Sequence, residues 1–84
     1  MSLYGYTFLA EVEDFDIEDY IAYMDWPSAA GRHIRIYIKE GSIFFYLHDE
    51  LKDRLFQFSA INPSKLKTKE AFEDVIKAYL LTKL

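Results

Sequence analysis

The spacing of apolar residues predicts an α+β domain: an antiparallel β-meander in the order β-α-β-β-β-α, with both helices packed on one sheet face. Three patterns carry that expectation. Arg32–Lys39 and Ser42–His48 alternate apolar and polar residues around Glu40-Gly41, a pair suited to a two-residue hairpin turn. Phe72, Val75, Ile76, Tyr79 and Leu80 form a helical stripe near the C-terminus. Ile17, Tyr20, Ile21 and Met24 fall at i, i+3, i+4 and i+7, the signature of a first helix.

The elements follow in order. Tyr4, Tyr6, Phe8, Ala10 and Val12 alternate with their neighbours, a period of two that marks a strand. Asp14 or Asp16 then caps the first helix, because a short acceptor side chain satisfies free amides at a helix start. Glu18 and Asp19 lie in its first turn, where the helix dipole favours negative charge. Trp26-Pro27 ends it, and residues 28–31 form a loop. In the hairpin, a two-residue turn opposes Ile38 to Ile43, Ile36 to Phe45 and Ile34 to Leu47, all on one face. The other face then holds Tyr37 opposite Phe44, Arg35 opposite Tyr46, and His33 opposite His48. Asp49–Asp53 is a polar turn, and Arg54–Ile61 is a third meander strand whose Phe56 and Phe58 fit either face. Asn62-Pro63 starts a short turn with proline at the first helical position. Thr68 caps the final helix, whose wet side carries the i,i+4 pairs Lys69–Glu73 and Glu73–Lys77.

The 84 residues fit one domain, 1–84. A chain of this size buries only about 60–65 % of its unfolded surface, so it needs a rich core. Fifteen aromatic residues supply one, and they exceed what so small a core hides. Exposed rings mark contact sites, so a homodimer or a protein partner is expected. There is no cysteine, which removes disulfides, thiolate metal sites and a cysteine nucleophile, and fits a reducing cytoplasm. No apolar run reaches the ~18–20 residues that span a bilayer, and the first residues do not read as a signal peptide.

Charge is the most informative functional feature. The first 31 residues hold seven acidic residues and no Lys or Arg, whereas the last 53 hold ten basic and seven acidic. The chain therefore has an acidic front, formed by Glu13, Asp16, Glu18, Asp19 and Asp25 on and beside the polar side of the first helix. Such spaced carboxylates can stand in for phosphates before a basic groove. The competing explanation is an ordinary solvated face. Arg35, Tyr37, Phe44 and Tyr46 form a second candidate surface, an aromatic sheet face. It resembles the stacking platforms of single-strand binders, but the net charge of −4 argues against nucleic acid.

Other chemistry is weaker. Asp14, Asp16, Glu18 and Asp25 echo a calcium loop, yet its sixth position is Asp19 instead of glycine and its last is not glutamate. His33 and His48 as cross-strand neighbours could share a metal, but a usable site needs a third ligand, and Arg54 beside them repels a cation. Lys65, Lys67 and Lys69 are a short basic run, a minor contact candidate. No glycine-rich phosphate loop, H-E-x-x-H or G-x-S-x-G pattern is present. The expectation is a cytoplasmic, non-enzymatic protein-binding module without metal or cofactor, binding another protein with a basic surface and able to form a homodimer. Its size and charge suit a stand-alone inhibitor or regulator, the sort of object that phage anti-defence and nuclease-immunity proteins are. Alternatives are an oligomerisation module using the aromatic face, and a single-stranded nucleic-acid binder using that same face.

Overall fold

The computed structural model of the chain describes residues 4–27 and 33–82. The expected loop at residues 28–31, and Arg32, lie outside the described residues. Five strands, β1 (Tyr6–Val12), β2 (Tyr20–Pro27), β3 (His33–Lys39), β4 (Phe45–Asp49) and β5 (Arg54–Ala60), precede one helix, α1 (Lys69–Thr82). Single 3-10 turns occupy Ile17–Asp19 and Pro63–Lys67. The strands form one antiparallel sheet in the order β1-β5-β4-β3-β2.

The expected order β-α-β-β-β-α with two helices on one face is therefore wrong. Ile17, Tyr20, Ile21 and Met24 do not make a helix: Ile17–Asp19 is one 3-10 turn, and Tyr20–Pro27 is an outer strand. The physical reason is threefold. An isolated segment of eight residues gains little as a helix, and Tyr20, Ile21, Tyr23 and Trp26 are of the aromatic and β-branched types that favour strands. The free edge of β3 also supplies a ladder of hydrogen bonds to whichever segment lies beside it. Trp26 and Pro27 accordingly belong to the strand, pairing with Ile34 and His33, and end no helix.

The hairpin forms, but its register slips by two residues. Ile38 opposes Phe45, Ile36 opposes Leu47, Tyr37 opposes Tyr46 and Arg35 opposes His48. The turn at Glu40-Gly41 is present, closed by Ser42 N–H donating to the Lys39 carbonyl at 2.9 Å, with Gly41 at φ +82°. Ser42 then prolongs the loop, because its hydroxyl accepts from Phe44 N–H at 3.1 Å and stops pairing from resuming. Ile43 is left 84 % exposed instead of joining the core. A slip of two keeps every later side chain on its expected face.

Two apolar layers result. On one side of the sheet, Ile34, Ile36, Phe45, Leu47, Phe56 and Phe58 pack against Phe72, Val75, Ala78 and Tyr79 of α1. This settles the open face of Phe56 and Phe58. Thr68 caps α1 as expected, its hydroxyl accepting from Ala71 N–H at 3.1 Å. Leu80 is the exception in the stripe and stays exposed. Tyr79 donates to the buried carboxylate of Asp49 at 3.2 Å, tying helix to β4. On the other side, Tyr37, Tyr46 and Leu55 are covered by Val12, Phe15, Ile17, Tyr20 and Phe44.

That second layer follows from topology. β1 and β2 are consecutive in the chain yet lie at opposite edges of the sheet. The connector between them must cross a sheet face, and it crosses the one that α1 leaves uncovered. A bulge at Leu9 helps: Tyr6 and Phe8 pack in the helix-side layer, whereas Val12, beyond the bulge, packs in the other.

Candidate protein-binding surface

The connector, residues 13–19, is the part of the acidic front that the fold presents. Phe15 and Ile17 point into the second layer, and the alternate positions point away from it. Phe15 meets the His48 ring edge-on with centroids 5.7 Å apart, and Tyr20 meets Tyr46 at 4.9 Å. Asp14 sits at φ +53°, a conformation that aspartate tolerates better than most residues. Asp16 caps the short 3-10 turn, accepting from Glu18 N–H at 3.1 Å through its side chain and from Asp19 N–H at 3.0 Å through its carbonyl. The Tyr20 hydroxyl is pushed above its ordinary pKa, first by burial and then by Tyr46 and Asp19.

Of the five expected front residues, Glu13, Asp16, Glu18 and Asp19 lie together on this connector, all exposed. Among the described residues none of the four is ion-paired. Asp25 is not one of the group. It lies on β2 opposite Arg35, bonded to His33 and to Arg35 Nε at 3.3 Å. Glu50 completes that cluster, 3.2 Å from His33 Nδ1 and 3.5 Å from Arg35 Nε. Burial pulls the Asp25 carboxyl upward, but His33 and Arg35 outweigh it and hold the group below its ordinary range.

The expected aromatic face is present but roofed. Tyr37 and Tyr46 are 6 % and 7 % exposed beneath the connector, Phe44 is half-buried, and Arg35 belongs to the ion cluster. His33 and His48 are not cross-strand partners, since Arg35 takes the place opposite His48. Each histidine has its own acid instead, His33 with Asp25 and Glu50, His48 with Asp53 at 3.1 Å from Nε2. Among the described residues no group of three or more His, Asp or Glu side chains is arranged to hold a metal ion. Lys65 and Lys67 are exposed on the second 3-10 turn.

Sequence reasoning missed one feature. Asp14, Phe15, Asp16, Ile17, His48 and Asp53 line an open cleft of about 490 Å³ where the connector passes over β4. The seating of Phe15 against His48 creates it, and no local pattern encodes a contact between residues so far apart in sequence.

Comparison with protein-family models, with curated proteins and with solved structures finds no match to this chain, so the reading of this surface rests on its geometry and charge. Among the described residues no helix is long and apolar enough to cross a membrane.

Proposed function

We propose that the protein is a non-enzymatic, cytoplasmic protein-binding module, a small inhibitor or regulator that offers the connector carboxylates to a basic surface on another protein. One observation carries the reading: Glu13, Asp16, Glu18 and Asp19 are exposed and not ion-paired among the described residues, on a segment held down by Phe15, Ile17 and Tyr20. Carboxylates fixed in advance lose little entropy on binding, and their field speeds encounter with a positive partner. The absence of cysteine is compatible with the reducing cytoplasm.

The test is capture of a partner from native lysate, followed by surface-plasmon kinetics with Asp16→Asn, Glu18→Gln and Asp19→Asn combined. Exposed charges act mainly on association rate, so the triple variant should associate more slowly and with a flatter salt dependence. An unchanged rate and salt slope would reduce the connector to a solvated face.

Self-association is a second reading, favoured by β2 being an outer strand with Ile21 59 % and Tyr23 36 % exposed. It places the contact at the sheet edge, since the rings of the aromatic face are covered from within.

A further inference from the structure

Two adjoining clefts lie away from the connector, on the helix side of the sheet, where α1 begins beside β1. They measure about 330 Å³ and about 140 Å³, and Tyr4, Tyr6 and Lys65 line both, so they form one groove. Glu70 and Asp74 add carboxylates to the larger cleft, and Ile61 adds an apolar wall to the smaller. Tyr6 is the unusual member. Its ring belongs to the core, edge-on to Phe58 with centroids 6.1 Å apart, and the residue is only 5 % exposed. Its hydroxyl makes no hydrogen bond among the described residues, yet it is not sealed in and keeps accessible surface where the groove passes. Burial, and then the Asp74 carboxylate, push that hydroxyl above its ordinary pKa, so it keeps its proton. Lys65, Glu70 and Asp74 form no ion pair among the described residues. An unpaired cation, two unpaired carboxylates and a buried, unpartnered hydroxyl therefore line one groove.

We propose that this groove binds a free α-amino acid with an aliphatic side chain. Lys65 takes the α-carboxylate, and Asp74 with Glu70 takes the ammonium group. The Tyr6 hydroxyl serves both, because a phenol O–H donates to a carboxylate while its oxygen accepts from an ammonium. The aliphatic side chain lies on Tyr4 and Ile61 in the smaller cleft. The charges of the groove favour a zwitterion over a simple ion. A lone cation would meet Lys65 and a lone anion would meet two carboxylates, whereas a zwitterion pairs with all three. The buried hydroxyl supplies the orientation that exposed charges by themselves do not, since its ring is locked in the core. The larger cleft, at about 330 Å³, falls at the small end of the range for ligand pockets, which suits a ligand of this size.

Nuclear magnetic resonance on the full chain tests this, with L-leucine as the probe. The expected result is saturable shifts of the amides at residues 4–6, 61 and 70–74. Two truncated probes separate the charges: 3-methylbutylamine lacks the carboxylate, and 4-methylpentanoate lacks the ammonium. Each should bind roughly tenfold more weakly than leucine, the order of one lost charge-assisted hydrogen bond. Lys65 is exposed, so Lys65→Gln leaves the fold intact. Tyr6→Phe keeps the ring in the core and removes only the hydroxyl. Either substitution should weaken leucine roughly tenfold. Tyr6→Phe should not lower the urea midpoint, because no hydrogen bond within the described chain is lost. Shifts that never saturate, or that survive both substitutions, would overturn the proposal. Equal binding of the amine would overturn it too, leaving a site for cations alone. A lowered midpoint for Tyr6→Phe would show that the hydroxyl is satisfied within the chain, and would also overturn it.

Discussion

A carboxylate clamped between a histidine and an arginine titrates differently from one in water, and Asp25 is clamped in this way. Its ordinary value is 3.8 and the folded value lies lower. A depressed folded pKa contributes stability above the unfolded value, and that contribution disappears as pH falls through the folded value. Denaturation curves at about pH 5 and about pH 2.5 should therefore show an acid loss that Asp25→Asn reduces. Equal losses in variant and parent would mean that the His33, Arg35 and Glu50 cluster does not couple to folding. Tyr79 makes a different kind of contact, with its hydroxyl bonded to the fully buried Asp49 at 3.2 Å. Tyr79→Phe keeps the ring and removes one donor from a buried acceptor. The expected cost is about 1–3 kcal/mol, read from the urea midpoint.

The elements test the packing. Ile36 is fully buried between β2, β4 and the helix-side core, so Ile36→Ala should cost roughly 2–5 kcal/mol, the range for buried aliphatic truncations. A loss below half a unit would mean that β3 is misplaced. The connector behaves as an element although it is mostly irregular, because Phe15 and Ile17 dock it on the second face. Removing the Phe15 ring with Phe15→Ala should raise amide exchange at residues 13–19 while leaving β4 and β5 protected. The same variant should slow association with a basic partner, since carboxylates on a loose tether bind at an entropic cost. Unchanged exchange would show that Phe15 is not the pin.

At the scale of the molecule, charge and sheet edges decide the behaviour. Seven acidic residues precede the first basic one, and the connector holds five of them, all exposed. The opposite problem sits on β2, an outer strand with Ile21 and Tyr23 exposed and a bulge at Tyr23 that interrupts its pairing with β3. Light scattering at high micromolar concentration should show self-association that Ile21→Lys abolishes, because a charge on an outer strand blocks edge pairing. A parent chain that stays monomeric would rule out the β2 edge as a contact.

The strands β3, β4 and β5 and the helix α1 are legible from residues alone. The strands turn alternate apolar side chains to the helix-side layer and α1 buries one stripe, which imposes a period of two or of 3.6 on the apolar positions. Thr68 is legible too, since a cap is a local hydrogen bond. Tyr20–Pro27 is not, because its short apolar pattern satisfies both periods and the choice belonged to the unpaired edge of β3. The hairpin slip turned on one side-chain hydrogen bond, from Phe44 N–H to Ser42. The candidate surface divides in the same way. Its acidic residues were visible as composition, because charge is a property of the chain. Their separation from Asp25, the roofing of Tyr37 and Tyr46, and the cleft beside His48 came from the crossing between two distant strands, which exists only once the sheet order β1-β5-β4-β3-β2 is set.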